Sequence, residues 1–312
     1  MSKIKKALER STALRQQNIS SLALLEQEQP ASPEPKRLWL SESERQGLSD
    51  RERLEYDIYA LLRKEHPESL GHVKKQIKLS YSRTRIIQTD DEILRRNHVF
   101  ATQKNHETAQ RIEILRTQVL KKLQQLKANS LMITSANPGE GKTFISSNLA
   151  VSISQNFDRT VMLIDADLRD RTYTQQDLAS IFFNTNNLSG LSDYLSDKAP
   201  IEELLINPGI PRLTILPSGK ALCDSAACLG SPKMEALVRE MKSRYSNERV
   251  LIFDSSSFMS NADALTMSKF VDAVLLVVEN EKTEFNTFQR MVELLKDKVI
   301  IGAVMNKAFE NV

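Results

Sequence analysis

Cysteine is almost absent from this chain: Cys223 and Cys228 are the two among 312 residues. Two are too few for a disulfide framework. With no histidine near them they are a weak metal signature, and they read as packing or loop positions in a reduced, cytoplasmic protein. No apolar run approaches the ~20 residues that cross a bilayer, and no signal-peptide pattern is expected. Aromatic residues make up 6%. The basic stretches have no aromatic interleaving and no nucleic-acid motif, which argues against a nucleic-acid partner. Glycine is scarce too, nine residues in all, yet two of them, Gly139 and Gly141, stand two apart.

Charge is present in quantity and unevenly placed. Residues 1–127 carry 25 Lys and Arg against 17 Asp and Glu, a net of +8, while residues 128–312 carry 18 against 23, a net of −5. A basic front and an acidic back suggest modules with different partners. Residues 1–27 open with a basic amphipathic stretch, in which Ile4, Ala7, Leu8 and Ser11 share one helical face. Such a face rests on its own domain or docks on a partner or a membrane surface, at most peripherally. Residues 28–40 contain Pro30, Pro33 and Pro35 and read as a linker. Residues 41–104 form a charged, partly helical region; within it, 67–104 show weak periodicity. Residues 105–312 form the main domain.

Hydrophobic periodicity organises that domain. Ile112, Leu115, Val119, Leu123 and Leu126 recur at helical spacing. Strands are expected at Leu131–Ile133, Val161–Ile164, Leu213–Leu216, Val250–Phe253, Ala273–Val278 and Val299–Met305. Helices are expected at Phe144–Phe157, Lys233–Tyr245 with Ser231 as cap and Pro232 in the first turn, Ala262–Phe270 and Glu284–Leu295. Continuous Val/Ile/Leu strands alternating with helices predict an α/β fold, a mainly parallel sheet covered by helices on both faces. Residues 168–190 read as a long polar loop.

Between the first expected strand and its helix lies Ala136-Asn137-Pro138-Gly139-Glu140-Gly141-Lys142-Thr143. This is a phosphate-binding loop in its required strand–loop–helix setting, so the fold is expected to be that of a P-loop NTPase. Gly139 and Gly141 let backbone N–H groups turn around phosphate oxygens. Lys142 reaches the β- and γ-phosphates of ATP, Thr143 binds Mg²⁺, and Asn137 to Phe144 line the nucleotide. In an open parallel sheet ligands sit at the carboxyl ends of strands. Two further strands end there in carboxylates, Asp165 with Asp167, and Asp254. Asp167 and Asp254 are candidate metal ligands. Asp165 and Asp254, beside Lys142, are candidates for orienting or deprotonating an attacking hydroxyl. Asn306, closing the last strand, either reads an adenine edge or is simply a polar strand exit.

Three segments then carry a resemblance. Ala136–Thr143, Leu163-Ile-Asp-Ala-Asp-Leu-Arg169 and Leu251-Ile-Phe-Asp254 are similar to the Walker A, A′ and B motifs of the bacterial tyrosine autokinases of capsule and exopolysaccharide loci. The similarity spans about residues 105–310. The start Met1–Leu8 and the run Thr84–Asn97 resemble the stand-alone, exosortase-associated branch. The resemblance implies ATP and Mg²⁺ as cofactors, a membrane chain-length regulator as partner, possible self-assembly, and recruitment to the inner membrane. It also implies phosphorylation of a C-terminal tyrosine cluster. The six tyrosines are Tyr56, Tyr59, Tyr81, Tyr173, Tyr194 and Tyr245, none in the last 67 residues. Other departures are Ser255-Ser256-Ser257 where the family has Ser/Thr-Pro-Pro, expected to loosen the loop presenting Asp254. The oligomerisation pattern is reduced to Arg116, with Gln110 and Glu113 at its other positions. Asp224–Cys228 replaces Asn-Pro-x-Glu-Leu. Two alternatives fit the same residues. One is a catalytically weak, nucleotide-gated module for a membrane partner. The other is a partition-type ATPase tethered by residues 3–17, although those ATPases carry a lysine where Asn137 stands.

Overall fold

The computed structural model describes residues 84–103, 105–156, 158–169, 176–244 and 248–308, all within the compact unit Lys74–Val312. The amphipathic stretch of 1–27, the linker 28–40 and most of 41–104 lie outside the described residues.

The centre is an eight-stranded sheet. Its parallel part comprises β2 (Ser130–Ser135), β3 (Thr160–Asp165), β5 (Leu213–Leu216), β6 (Arg249–Asp254), β7 (Ala273–Glu279) and β8 (Ile300–Asn306). These lie in the order β5-β3-β6-β2-β7-β8. Two-residue strands β1 (Arg85–Ile86) and β4 (Ile206–Asn207) extend the β5 edge, β4 running antiparallel to β5. Every residue of β2 and β3 is buried, as expected when both faces of a sheet are covered. Alternation divides them. Leu131, Ile133, Leu163 and Ile252 face one hydrophobic cluster, and Met132, Met162, Ile164, Leu251 and Phe253 face the other.

Helix α2 (Glu107–Leu126) covers the first face together with α3 (Lys142–Ser154). Helix α8 (Pro232–Arg244) and α10 (Phe285–Leu294) cover the second. Ser231 Oγ accepts the Met234 N–H at 3.2 Å, the cap expected for α8. The expected strands and long helices are all present, with no end displaced by more than three residues. Short elements were not foreseen. Helix α1 (Asp91–Arg96) lies in the weakly periodic region and buries Leu94, and α4 (Leu178–Phe183) interrupts the expected long loop. Asp177 caps α4 by accepting the Ser180 N–H at 2.7 Å. Its residues Leu-Ala-Ser-Ile-Phe-Phe are too few to show a helical period. Helices α5 (Leu191–Leu195), α6 (Ile201–Leu204) and α7 (Ser225–Leu229) are likewise short, and α9 (Asp263–Met267) is the expected helix 262–270 in shortened form.

Residues 84–103, assigned from sequence to a separate charged region, join this same core. Leu94, Val99 and Ala101 belong to the first cluster. Asn148 of α3 fastens them: its Oδ1 accepts the N–H groups of Phe100 (2.8 Å) and Ala101 (3.1 Å), and its Nδ2 donates to His98 O (2.9 Å). Among the described residues, no helix is long and apolar enough to cross a membrane.

Candidate nucleotide-binding site

The loop between β2 and α3 sits at the carboxyl end of the sheet's centre. Gly139 and Gly141 have φ of +81° and +97°, values that cost a side-chain-bearing residue strain and glycine little. Gly141 is the N-cap of α3 and supplies no side-chain cap, so the first N–H groups of a 13-residue helix are left for another acceptor. Lys142 and Thr143 are the first two helical residues. Lys142 is 9% exposed. Phe144 turns partly into the core, Pro138 stands exposed on top of the loop, and Asn137 bonds within it, its Nδ2 donating to Glu140 Oε1 at 2.9 Å.

The carboxylates converge as the strand order requires. Asp165 and Asp254 are Cα partners across β3 and β6, and Asp254 is in turn the partner of Ile133 in β2. Both are almost fully buried. Asp165 Oδ1 accepts the Asp167 N–H and Oδ2 accepts the Leu178 N–H, each at 3.2 Å. This holds the turn that carries the half-buried Asp167. Two residues on, the Arg169 guanidinium grips Asp263 with two bonds of 3.0 and 3.2 Å. Ser225 of the divergent 224–228 segment adds a third bond to Asp263, at 2.6 Å. The hydrogen bond that Arg169 donates to Asp263 holds it above its ordinary pKa, and the charges of Asp263, Asp167 and Asp224 add to this against partial desolvation.

The three serines after Asp254 do not loosen it. Ser255, Ser256 and Ser257 are buried. Ser256 O accepts from Thr134 Oγ1 (2.8 Å), Ser256 Oγ donates to Asn261 Oδ1 (3.0 Å), and Ser257 bonds to Ser260. Backbone bonds from Ser255 N to Ile133 O, Phe258 N to Ser135 O and Met259 N to Ala136 O tie the segment to β2 and the phosphate loop. Hydrogen bonds here do the stiffening that proline rings do elsewhere.

Asn306 turns its side-chain amide toward the phosphate loop. Its Nδ2 donates to Glu140 O at 2.9 Å. Sequence reasoning missed Thr283, whose hydroxyl donates to Glu140 Oε1 at 2.6 Å. Lys307 Nζ donates to Gly139 O at 2.9 Å and pairs with Glu279 at 3.2 Å. Burial works to raise the Glu279 carboxyl, but hydrogen bonds from Lys307 and Lys282 outweigh it and hold it below its ordinary value. Thr283 follows β7 without any local signature, so nothing in the sequence flagged it. Arg116, the remnant of the oligomerisation pattern, turns inward and donates to Ser152 O and Oγ at 3.0 and 3.2 Å.

The donor set fits a magnesium nucleotide. Among the described residues no group of three or more His, Cys, Asp or Glu could hold a metal ion alone. A cation bound by Thr143 and one or two carboxylates therefore needs phosphate oxygens and water to complete its shell, as Mg²⁺ does.

A parallel sheet with a glycine-turned loop leading into a buried-lysine helix, and with aspartates ending the adjacent strands, defines a P-loop nucleotide-binding protein. No protein-family model matches the chain. The tyrosine-protein kinase YwqD of Bacillus subtilis is 32% identical over 216 residues, 68% of this chain and 86% of that protein. The tyrosine-protein kinase CpsD of Streptococcus agalactiae is 28% identical over 184 residues, 58% of this chain and 75% of that protein. Among solved structures, the kinase domain of the Escherichia coli tyrosine kinase ETK shares the fold, with a TM-score of 0.61 at 24% identity, covering 80% of this chain and 88% of that one. The chimerical protein CapA2B2 has a TM-score of 0.60 at 23% identity, covering 72% and 93%. The chain belongs to the family of bacterial tyrosine-protein kinases.

Proposed function

We propose that this protein transfers the γ-phosphoryl group of ATP to a tyrosine hydroxyl on a protein, within a system that builds or exports an exopolysaccharide. The observation that carries the reading is topological: the loop bearing Lys142 and Thr143 follows β2, and the adjacent strands β6 and β3 end in the paired residues Asp254 and Asp165. The tyrosine oxygen attacks the γ-phosphorus, the bond to the β,γ-bridging oxygen breaks, and ADP leaves. The tyrosine proton passes to a carboxylate of the Asp165–Asp254 pair. Lys142 offsets charge on the transferring group, and the loop amides hold the β-phosphate. Thr143, Asp167 and Asp254 are the residues that would hold Mg²⁺, which when bound would supply charge neutralisation to the phosphates. A membrane chain-length regulator of the export system is the proposed partner, recruiting the protein to the inner face of the membrane. Tyr194, half-buried with the Lys233 ammonium 4.6 Å over its ring, is a poor acceptor; the other five tyrosines lie outside the described residues.

The test is incubation of the full chain with ATP labelled in the γ-phosphate and Mg²⁺, wild type beside Lys142→Ala, reading labelled protein and free phosphate separately. Label on tyrosine that disappears in Lys142→Ala is the expected result. Free phosphate without labelled protein would make water the acceptor and the protein an ATPase. Neither product, with nucleotide still bound, would make it a nucleotide-gated partner subunit.

A further inference from the structure

The phosphate loop is held from behind as well as built from glycine. The peptide bonds of the described residues are trans, so in each unit the C=O and the N–H point in opposite directions. Gly139 O is drawn to Lys307 Nζ and Glu140 O to Asn306 Nδ2, both at 2.9 Å. The N–H groups of Glu140 and Gly141 must then face away from Lys307 and Asn306. Together with the positive φ of Gly139 and Gly141, this is the backbone pattern of an anion nest. Among the described residues, the N–H groups of Gly139, Glu140 and Gly141 meet no protein acceptor.

A second hold acts through the side chain between the two glycines. Glu140 is 1% exposed. Its Oε1 accepts from Asn137 Nδ2 and Thr283 Oγ1, and its Oε2 is buried without a hydrogen-bond partner among the described residues. Thr283 in turn accepts the Glu279 N–H at 3.0 Å, and Glu279 pairs with Lys307. The contacts close a ring from loop to β7 to the end of β8 and back.

We infer that Asn306, Lys307 and Thr283 are positioning residues that preset the peptide planes of the phosphate loop for a β-phosphate, with the side-chain amide of Asn306 committed to the loop rather than to a base. The inference rests on the nucleotide-binding reading above. It makes phosphate affinity depend on the loop after β7 and on the last strand. Neither would contact the phosphate. Asn306→Asp replaces a donor with a carboxylate facing a carbonyl, which drives the two apart. Thr283→Val strips one of two donors from a buried carboxylate whose other oxygen is already unsatisfied, a severe change for its size. Thr283→Ser keeps the hydroxyl. Lys307 is about half exposed, so its bond is screened and its loss matters least.

The experiment measures Mg·ADP binding by calorimetry on the full chain, with ligand-free melting and the amide proton shifts of Glu140 and Gly141 recorded beside it. Asn306→Asp and Thr283→Val are each expected to raise Kd about tenfold, the scale of one lost hydrogen bond. Thr283→Ser should return to within about twofold of wild type, and Lys307→Met should weaken binding about twofold. The two amide shifts should move in the ligand-free variants, with Asn306→Asp melting within about 3 °C of wild type and Thr283→Val melting lower, as a buried carboxylate that loses a donor requires. Wild-type affinity in both Asn306→Asp and Thr283→Val, with Lys142→Ala unable to bind, overturns the clamp and leaves nucleotide binding standing. Should either variant melt early, unmoved Glu140 and Gly141 shifts in Lys307→Met overturn it as well. A wild-type chain that does not bind Mg·ADP overturns the nucleotide reading itself.

Discussion

Gly141 shows how much a single position can carry. A Cβ added there would lie 2.0 Å from Asn306 Nδ2, and its φ of +97° is one that other residues rarely adopt. Gly141→Ala is therefore expected to fail on two counts, backbone strain of about 1–3 kcal/mol and displacement of the Asn306 side chain. The expected outcome is loss of Mg·ADP binding by at least about tenfold in calorimetry, together with a lower midpoint in chemical denaturation. The glycine, lysine and threonine of the loop were legible from sequence because their spacing is imposed by phosphate geometry and cannot vary much. Asn306 was legible as a polar strand exit, but its direction was not. Thr283 and Glu279 were illegible, since a threonine and a glutamate beside a turn are ordinary wherever they occur.

The long strands and helices could be read from periodicity, because a fully covered parallel strand must be continuously apolar and a covering helix must repeat its apolar face. Helices α4 to α7, of four to six residues each, could not, since one turn of helix gives no repeat. Helix α3 is a third case. It is buried nearly all round, and its serines and Asn148 look like a polar face until the structure shows them buried. Asn148 makes four side-chain bonds, three to residues 98–101 and one to Phe144 O. Removing it strands several buried polar groups, each worth about 1–3 kcal/mol when unsatisfied. Asn148→Ala is expected to lower stability by about 2–4 kcal/mol and to speed amide exchange across residues 93–101 more than in the central strands. Equal protection of both regions would mean that α1 does not depend on this staple. The serines after Asp254 behave alike. Ser256→Ala should cost about 1 kcal/mol by denaturant midpoint, where a loose loop would show no change.

At the scale of the whole molecule, the rim of the sheet opposite the phosphate loop has its own lock. Asp272, just before β7, accepts Ser130 Oγ at 2.8 Å and the N–H groups of Asn129 and Ser130 at 3.2 and 3.1 Å, and pairs with Lys242 of α8. Burial pushes its carboxyl up, but the bonds from Lys242, Ser130 and the Asn129 amide hold it below the ordinary carboxylate value. A folded-state pKa below the unfolded one contributes stability that is fully present above the ordinary carboxylate range and lost as pH falls through the depressed value. Stability should therefore drop on acidification below about pH 4. Asp272→Asn should lower the neutral plateau by about 1–3 kcal/mol and flatten that acid limb. Parallel acid limbs in wild type and variant would remove Asp272 from the account.

Residue order alone carried the fold class, the phosphate loop and the strand-end positions of the aspartates. Those rest on local rules: apolar repeats that match one element, and a motif whose residues are neighbours along the chain. Contacts between residues far apart in sequence were settled only by tertiary structure. Asn306 and Glu140, Thr283 and Glu140, Arg169 and Asp263, and Asn148 and His98 meet because parallel crossovers bring distant strand ends to one rim. Whether a side chain faces a ligand or a neighbouring carbonyl depends on that juxtaposition, which no local pattern encodes.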